Sequence, residues 1–258
     1  MWWSAIEPLA WSSLWVSLAA GALATAAARA MGLPFSADVT ALVVAGTWVV
    51  YSVDRLRDVE RDRVTSPRRT AFVERHAPAL RAATAGVALL ALGLAIRVGL
   101  GTALVLLPVA VLGFWHRRVK HLAFLKSSYL TLAWVCVVVV FPAAATTGAR
   151  HVGWVALVLG AAIQANAIAS NVRDREAGVP RLGSGPALRL ARVVSVSGGV
   201  LALLAPGEVR ALACVPAVML LALRWFRPDE RYGLVVVDGA LLIGALAALA
   251  TWAAYPAG

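Results

Sequence analysis

Charge is scarce in this chain. Only 14% of its 258 residues are charged, 61% are hydrophobic, and the mean hydropathy is +0.80. That balance excludes an ordinary soluble domain and marks an integral membrane protein. Cysteine is scarcer still. Cys136 and Cys214 both fall inside apolar stretches, too few and too buried for a disulfide framework or a thiolate zinc site. The ten-residue alternation of apolar and polar positions that builds a membrane barrel is missing, so a sheet is excluded as well. The first apolar stretch lacks a basic leader and a small-residue cleavage site, and reads as a retained helix rather than a signal peptide. Linkers and low-complexity tracts are absent too, so residues 1–258 read as a single polytopic membrane domain.

What the chain does have is nine apolar stretches, at about 8–29, 38–53, 79–96, 99–115, 127–147, 152–171, 187–205, 209–225 and 234–254. A helix needs roughly 20 apolar residues to cross the hydrocarbon. The expected fold is therefore an all-α bundle of nine transmembrane helices, the third and fourth joined tightly at Arg97-Val98-Gly99. Basic residues set the orientation. All but four of the 24 lysines and arginines lie in alternate gaps, after the second, fourth, sixth and eighth stretches. Arg29, Arg97, Arg150 and Arg210 are the exceptions. Positive charge stays inside, which predicts a cytoplasmic N-terminus and an outside C-terminus. A net charge of +11 then suits a surface facing anionic membrane lipid and needs no nucleic-acid partner. Trp2, Trp3, Trp115, Trp154, Trp225 and Trp252 sit near predicted span ends, as interfacial belt residues do.

The second stretch runs into Val50-Tyr51-Ser52-Val53-Asp54-Arg55-Leu56-Arg57-Asp58-Val59-Glu60-Arg61-Asp62-Arg63. Asp54, Asp58 and Asp62 are spaced by four, so a continued helix holds them on one face. Like charges at that spacing repel. Either the interleaved arginines or a divalent cation must offset them, and hard carboxylate oxygens at a helix end suit Mg²⁺. The sixth stretch ends in a polar stripe on the same side of the membrane, comprising Gln164, Asn166, Ser170, Asn171 and Asp174, with Glu176 just beyond. Amides at lipid depth need a cavity or a partner helix. Two acidic helix ends on one face favour a diphosphate clamp over simple helix pairing. Between the fourth and fifth stretches lie Lys120 and Lys126, able to neutralise phosphate oxygens or serve as an ordinary positive-inside loop. Asp238 lies a turn inside the last stretch, either as a functional carboxylate or snorkelling towards Arg231. His76, His116 and His121 show no metal-ligand spacing, and Asp38 is expected to cap the second span.

Taken together, these features resemble the UbiA-type intramembrane prenyltransferase superfamily across essentially the whole chain. Asp54, Asp58 and Asp62 resemble its first motif, with Asp54 where the family has Asn, and Arg68-Arg69-Thr70 resembles the basic segment that follows. Lys120 through Lys126 to Trp134 resembles its lysine loop, and Asn171-Val172-Arg173-Asp174 the start of its second motif. The second motif then departs from the pattern, with Gly178 where another Asp is usual.

The resemblance implies helices around a lipid-open central cavity, in a bacterial or archaeal inner membrane, with the active site facing the cytoplasm. It implies Mg²⁺ held by Asp54, Asp58, Asp62, Asn171 and Asp174, and a polyisoprenyl diphosphate held by Arg68, Arg69, Lys120, Lys126 and Arg173. It further implies transfer of the prenyl group to a lipophilic acceptor. A cyclase of the same fold and a non-catalytic prenyl-lipid-binding protein remain open, given the shortened second motif. The D-x-x-D-G-x-x-A-R run of the CDP-alcohol phosphotransferases is absent. Charge gathered at one face, rather than at midplane, speaks against a transporter.

Overall fold

The structure, a computed structural model, describes residues 3–109, 125–175 and 183–254. Among the described residues there are helices and no strand. They run α1 Trp3–Trp11, α2 Leu14–Ala30, α3 Ala37–Arg57, α4 Val59–Thr65, α5 Pro67–Arg75 and α6 Ala77–Val98. Beyond these come α7 Leu100–Val109, α8 Lys126–Ala145, α9 Val152–Asp174, α10 Ser184–Leu204, α11 Cys214–Arg224 and α12 Tyr232–Ala254. Six of these, α3, α6, α8, α9, α10 and α12, are long and apolar enough to cross a membrane. The remaining predicted spans correspond to shorter helices. Residues 8–29 divide at Ser13, whose φ of 69° breaks α1 from α2. The stretch 99–115 begins as α7 and leaves the described residues after Val109, and 209–225 enters α11 through helical turns at Gly207–Arg210 and Ala211–Ala213.

Helix α9 packs against α8, α10 and α11, while α2 packs against α3 and α12, and α3 carries α6 on its outer side. Small residues make this closeness possible. Ala19, Ala20, Ala24, Ala26, Ala27 and Ala30 of α2 are all buried. A Cβ on Gly244 would stand 2.6 Å from the Val215 Cα, so α11 and α12 touch backbone to backbone there. The outward surface is apolar in its turn: Leu89 is 72% exposed and Ile96 59%, both on α6. Leucine and isoleucine this open belong against hydrocarbon rather than water, as the long apolar helices of an integral membrane protein require.

Two helices carry wide π-type turns, each with a local cause. Pro142 cannot donate to the helical ladder of α8, and the turn at Cys136–Val140 precedes it. In α12 the turn spans Tyr232–Val237. Its Val235 carbonyl accepts from Trp15 Nε1 at 3.2 Å and its Val237 carbonyl from Asn166 Nδ2 at 3.1 Å. Those bonds tie the start of α12 to α2 and α9.

Ser36, not Asp38, caps α3: its side chain accepts from the Val39 N–H at 3.3 Å. Asp38, inside the first turn, instead pairs with Arg97 at 3.1 Å.

Candidate active site

The aspartate repeat survives a bend. Helix α3 ends at Arg57, and Asp58 stands between it and α4. The Asp58 N–H still donates to the Asp54 carbonyl, and the Asp62 N–H to the Asp58 carbonyl, both at 2.9 Å. Those two bonds carry the four-residue register through the bend, so the repeat remains on one side of the chain.

Arginines sit on these carboxylates. Arg69 Nη2 donates to Asp62 at 2.6 Å, and Arg61 lies 3.9 Å from Asp58. Arg69 is placed by α5, whose N-terminus is capped from far away in sequence. The Arg68 and Arg69 backbone N–H groups donate to the Glu230 carboxylate at 3.1 and 2.7 Å. Burial pushes the Asp62 carboxyl above its ordinary range; Arg69 opposes this, while Asp54, Asp58 and Asp174 add to it. Asp174, far away in sequence, is near enough to add to that upward push.

Asp174 closes α9. Arg173 grips it with two parallel bonds, Nε to Oδ1 at 2.7 Å and Nη2 to Oδ2 at 2.9 Å. Lys126, at the start of α8, acts on both Asp174 and Asp54. Beneath them, Asp238 accepts from Asn166 Nδ2 at 3.1 Å, joining α12 to α9. Arg231, the snorkelling partner considered for Asp238, pairs with Glu7.

Two amides of the α9 stripe turn towards α8. Asn171 Nδ2 donates to Ser127 Oγ at 2.8 Å, and Gln164 Oε1 accepts from Thr131 Oγ1 at 2.7 Å. Both therefore bond to a neighbouring helix. Lys120 and Glu176 lie outside the described residues.

Several participants went unread in the sequence. Arg55 is only 7% exposed and donates through Nη1 to the Ala10 and Trp11 carbonyls at 2.7 and 2.6 Å, closing the end of α1. Its position inside the aspartate repeat made it look like one more surface arginine. Tyr51, one turn before Asp54, accepts from Trp134 Nε1 at 3.0 Å and so links α3 to α8. Glu230 left only its place beside α12 as a signal.

The centre thus gathers Asp54, Asp58, Asp62, Asp174 and Asp238 with Arg55, Arg69, Arg173 and Lys126. Among the described residues no three Asp, Glu, His or Cys side chains close on one point as a preformed cation site. The donors are nonetheless the hard oxygens that Mg²⁺ takes, and that ion commonly uses only one or two carboxylates and draws the rest from water and phosphate. The donor set fits on those terms. A separate cleft of about 330 Å³, lined by residues including Arg29, Phe35 and Trp252, lies at the other end of α2 and α12 and shares none of these residues. No family model, curated protein or solved structure matches this chain.

Proposed function

We propose that this protein is a Mg²⁺-dependent intramembrane prenyltransferase, ionising a polyisoprenyl diphosphate and passing the prenyl group to a lipophilic acceptor. What supports the reading is a set of carboxylates at the end of an apolar helical bundle, each already matched to a cation: Asp62 to Arg69 at 2.6 Å and Asp174 to Arg173 at 2.7 Å. In this reading α2, α7 and α11 complete nine spans, and the acidic ends face the cytoplasm, where the arginines and lysines gather.

Asp54, Asp58, Asp62 and Asp174 would hold Mg²⁺, which when bound supplies charge neutralisation for a diphosphate leaving group. Arg68, Arg69, Arg173 and Lys126 take phosphate oxygens, so negative charge growing on the leaving group meets fixed cations. The surrounding alanine, leucine and valine side chains house the prenyl tail and exclude water, which would otherwise trap the allylic cation. Asn171 and Gln164 hold α8 against α9, and Asn166 and Asp238 hold α12 against α9. The allylic carbon–oxygen bond breaks with its electron pair going to diphosphate, the acceptor forms a bond to the allylic carbon, and the proton it then loses is taken up by the released diphosphate or by water.

A non-catalytic prenyl-lipid-binding protein is the second reading, favoured by the arginines already seated on Asp62 and Asp174. One experiment separates the two. Purified protein is given geranyl, farnesyl and geranylgeranyl diphosphates with and without Mg²⁺, and released diphosphate is measured. Mg²⁺-dependent release, lost in Asp58→Ala and Asp174→Ala, supports catalysis, and the organic products distinguish transfer from cyclisation. Binding without release from any donor, candidate acceptors included, supports the second reading and overturns the first.

A further inference from the structure

Arg173 spends two of its three nitrogens on Asp174. The third, Nη1, is buried and makes no hydrogen bond, in a side chain only 7% exposed. A guanidinium donor removed from solvent without an acceptor is an unusual arrangement. It lies over Gly233 in the wide turn of α12. A Cβ there would stand 2.5 Å from Arg173 Cδ and 2.9 Å from Nη1, so the missing side chain is what makes room for the guanidinium. That turn is fastened independently by Trp15 and Asn166. Asp238 and Glu230 also act on Arg173 from the α12 side.

We infer that Arg173 is an exchangeable counter-ion: it holds Asp174 until a cation takes that carboxylate, then turns its fork, Nη1 included, to the phosphate oxygens that arrive with the cation. The inference rests on the cation–diphosphate reading of the site. A guanidinium bonded to both Asp174 oxygens and a divalent cation on the same carboxylate repel each other, so an arriving cation favours release of the fork. The unpaired Nη1 gives the displaced fork a donor to offer, and the bare backbone of Gly233 leaves no side chain to pin the guanidinium in its present place. Asp174 and Arg173 are adjacent in sequence, so the exchange needs side-chain rotation and no helix movement.

The exchange makes opposite predictions for the two ligands. In lipid nanodiscs, Mn²⁺ alone is titrated by electron paramagnetic resonance, and inorganic pyrophosphate in the presence of Mn²⁺ by calorimetry. Arg173→Gln is expected to bind Mn²⁺ at least about tenfold more tightly and pyrophosphate at least about tenfold more weakly than the parent. Arg173→Lys cannot form the double bond to Asp174, so it tightens Mn²⁺ while keeping most of the pyrophosphate affinity as a point charge. Gly233→Ala pushes the arginine aside and moves Mn²⁺ affinity in the same direction. A merely structural arginine would weaken both ligands together. Mn²⁺ affinity unchanged or reduced in the folded variants overturns the exchange, as does Mn²⁺ binding by neither parent nor variants. Should Arg173→Gln fail to fold, Arg173→Lys and Gly233→Ala decide the matter alone. Tightened Mn²⁺ with no diphosphate release from any prenyl donor would sustain the exchange while removing the transferase reading.

Discussion

Glu230 is where the fold and the site depend on the same few atoms. Helix α5 starts with Pro67, which has no N–H to satisfy, and its N-cap residue Ser66 makes no side-chain capping bond. The next two donors, the Arg68 and Arg69 N–H groups, both go to the Glu230 carboxylate. Glu230 therefore performs the job of an N-cap from more than 160 residues away, with its negative charge at the positive end of the helix dipole. Losing a cap costs about 0.5–2 kcal/mol, and the charge adds about 0.3–1 kcal/mol. Glu230→Ala should therefore destabilise α5 by about 1–3 kcal/mol. Because α5 is a nine-residue helix, that loss should show as local opening before it shows as global unfolding. Hydrogen exchange followed by mass spectrometry should find protection in residues 67–75 reduced by roughly 5- to 150-fold. The long spans α9 and α12 should be unchanged. Glu230→Gln keeps an acceptor and loses the charge, so it should fall between the two. Unchanged protection over residues 67–75 in Glu230→Ala would refute the capping argument, as would a loss spread evenly over the chain.

Other consequences follow from the same geometry. Gly244→Ala drives a methyl into the Val215 Cα and the Cys214 carbonyl, backbone atoms unable to yield. It should destabilise by about 1–3 kcal/mol, whereas Gly93→Ala on α6, with nothing within 4 Å, should stabilise by about 0.5–1 kcal/mol; opposite shifts in thermal midpoint in detergent are the check. The Asp62 carboxyl titrates above its ordinary 3.8. The folded chain therefore holds that proton more tightly than the unfolded chain, and the stability it contributes is full below the ordinary value and lost as pH rises through the raised one. Stability of the parent relative to Asp62→Asn should fall as pH rises from the ordinary carboxylate value through the raised one, while Mn²⁺ affinity of the parent rises over the same interval. A pH-independent difference between the two proteins would contradict the assignment.

Patterns local in sequence were the legible part. Long apolar runs predicted an all-α membrane protein, and the four-residue spacing of Asp54, Asp58 and Asp62 survives the bend at Asp58 because its helical hydrogen bonds continue. The break at Ser13 was not legible, because a left-handed serine leaves no mark in an apolar run otherwise fit for one span. The amides were half read. Asn166 reaches the buried carboxylate of Asp238, while Gln164 and Asn171 bond to α8, and periodicity alone does not tell which neighbour each side of α9 meets. The role of Arg55 was hidden for a similar reason. Among so many arginines, nothing local distinguishes the one that reaches back to the carbonyls ending α1. Glu230 lies beyond any local pattern, since its partners are brought to it only by the fold.

The central claim is that the end of α3 with α4 and the end of α9 form one cation–diphosphate site. A double-mutant cycle on Mn²⁺ binding in the presence of farnesyl diphosphate tests it most directly, using Asp62→Asn, Asp174→Asn and the pair together. One shared site predicts that each single change weakens binding by at least about tenfold and that the double change is far from additive, with a coupling of about 0.5–3 kcal/mol. Strictly additive effects, or Mn²⁺ binding indifferent to either aspartate, would show two unrelated acidic helix ends and contradict the account.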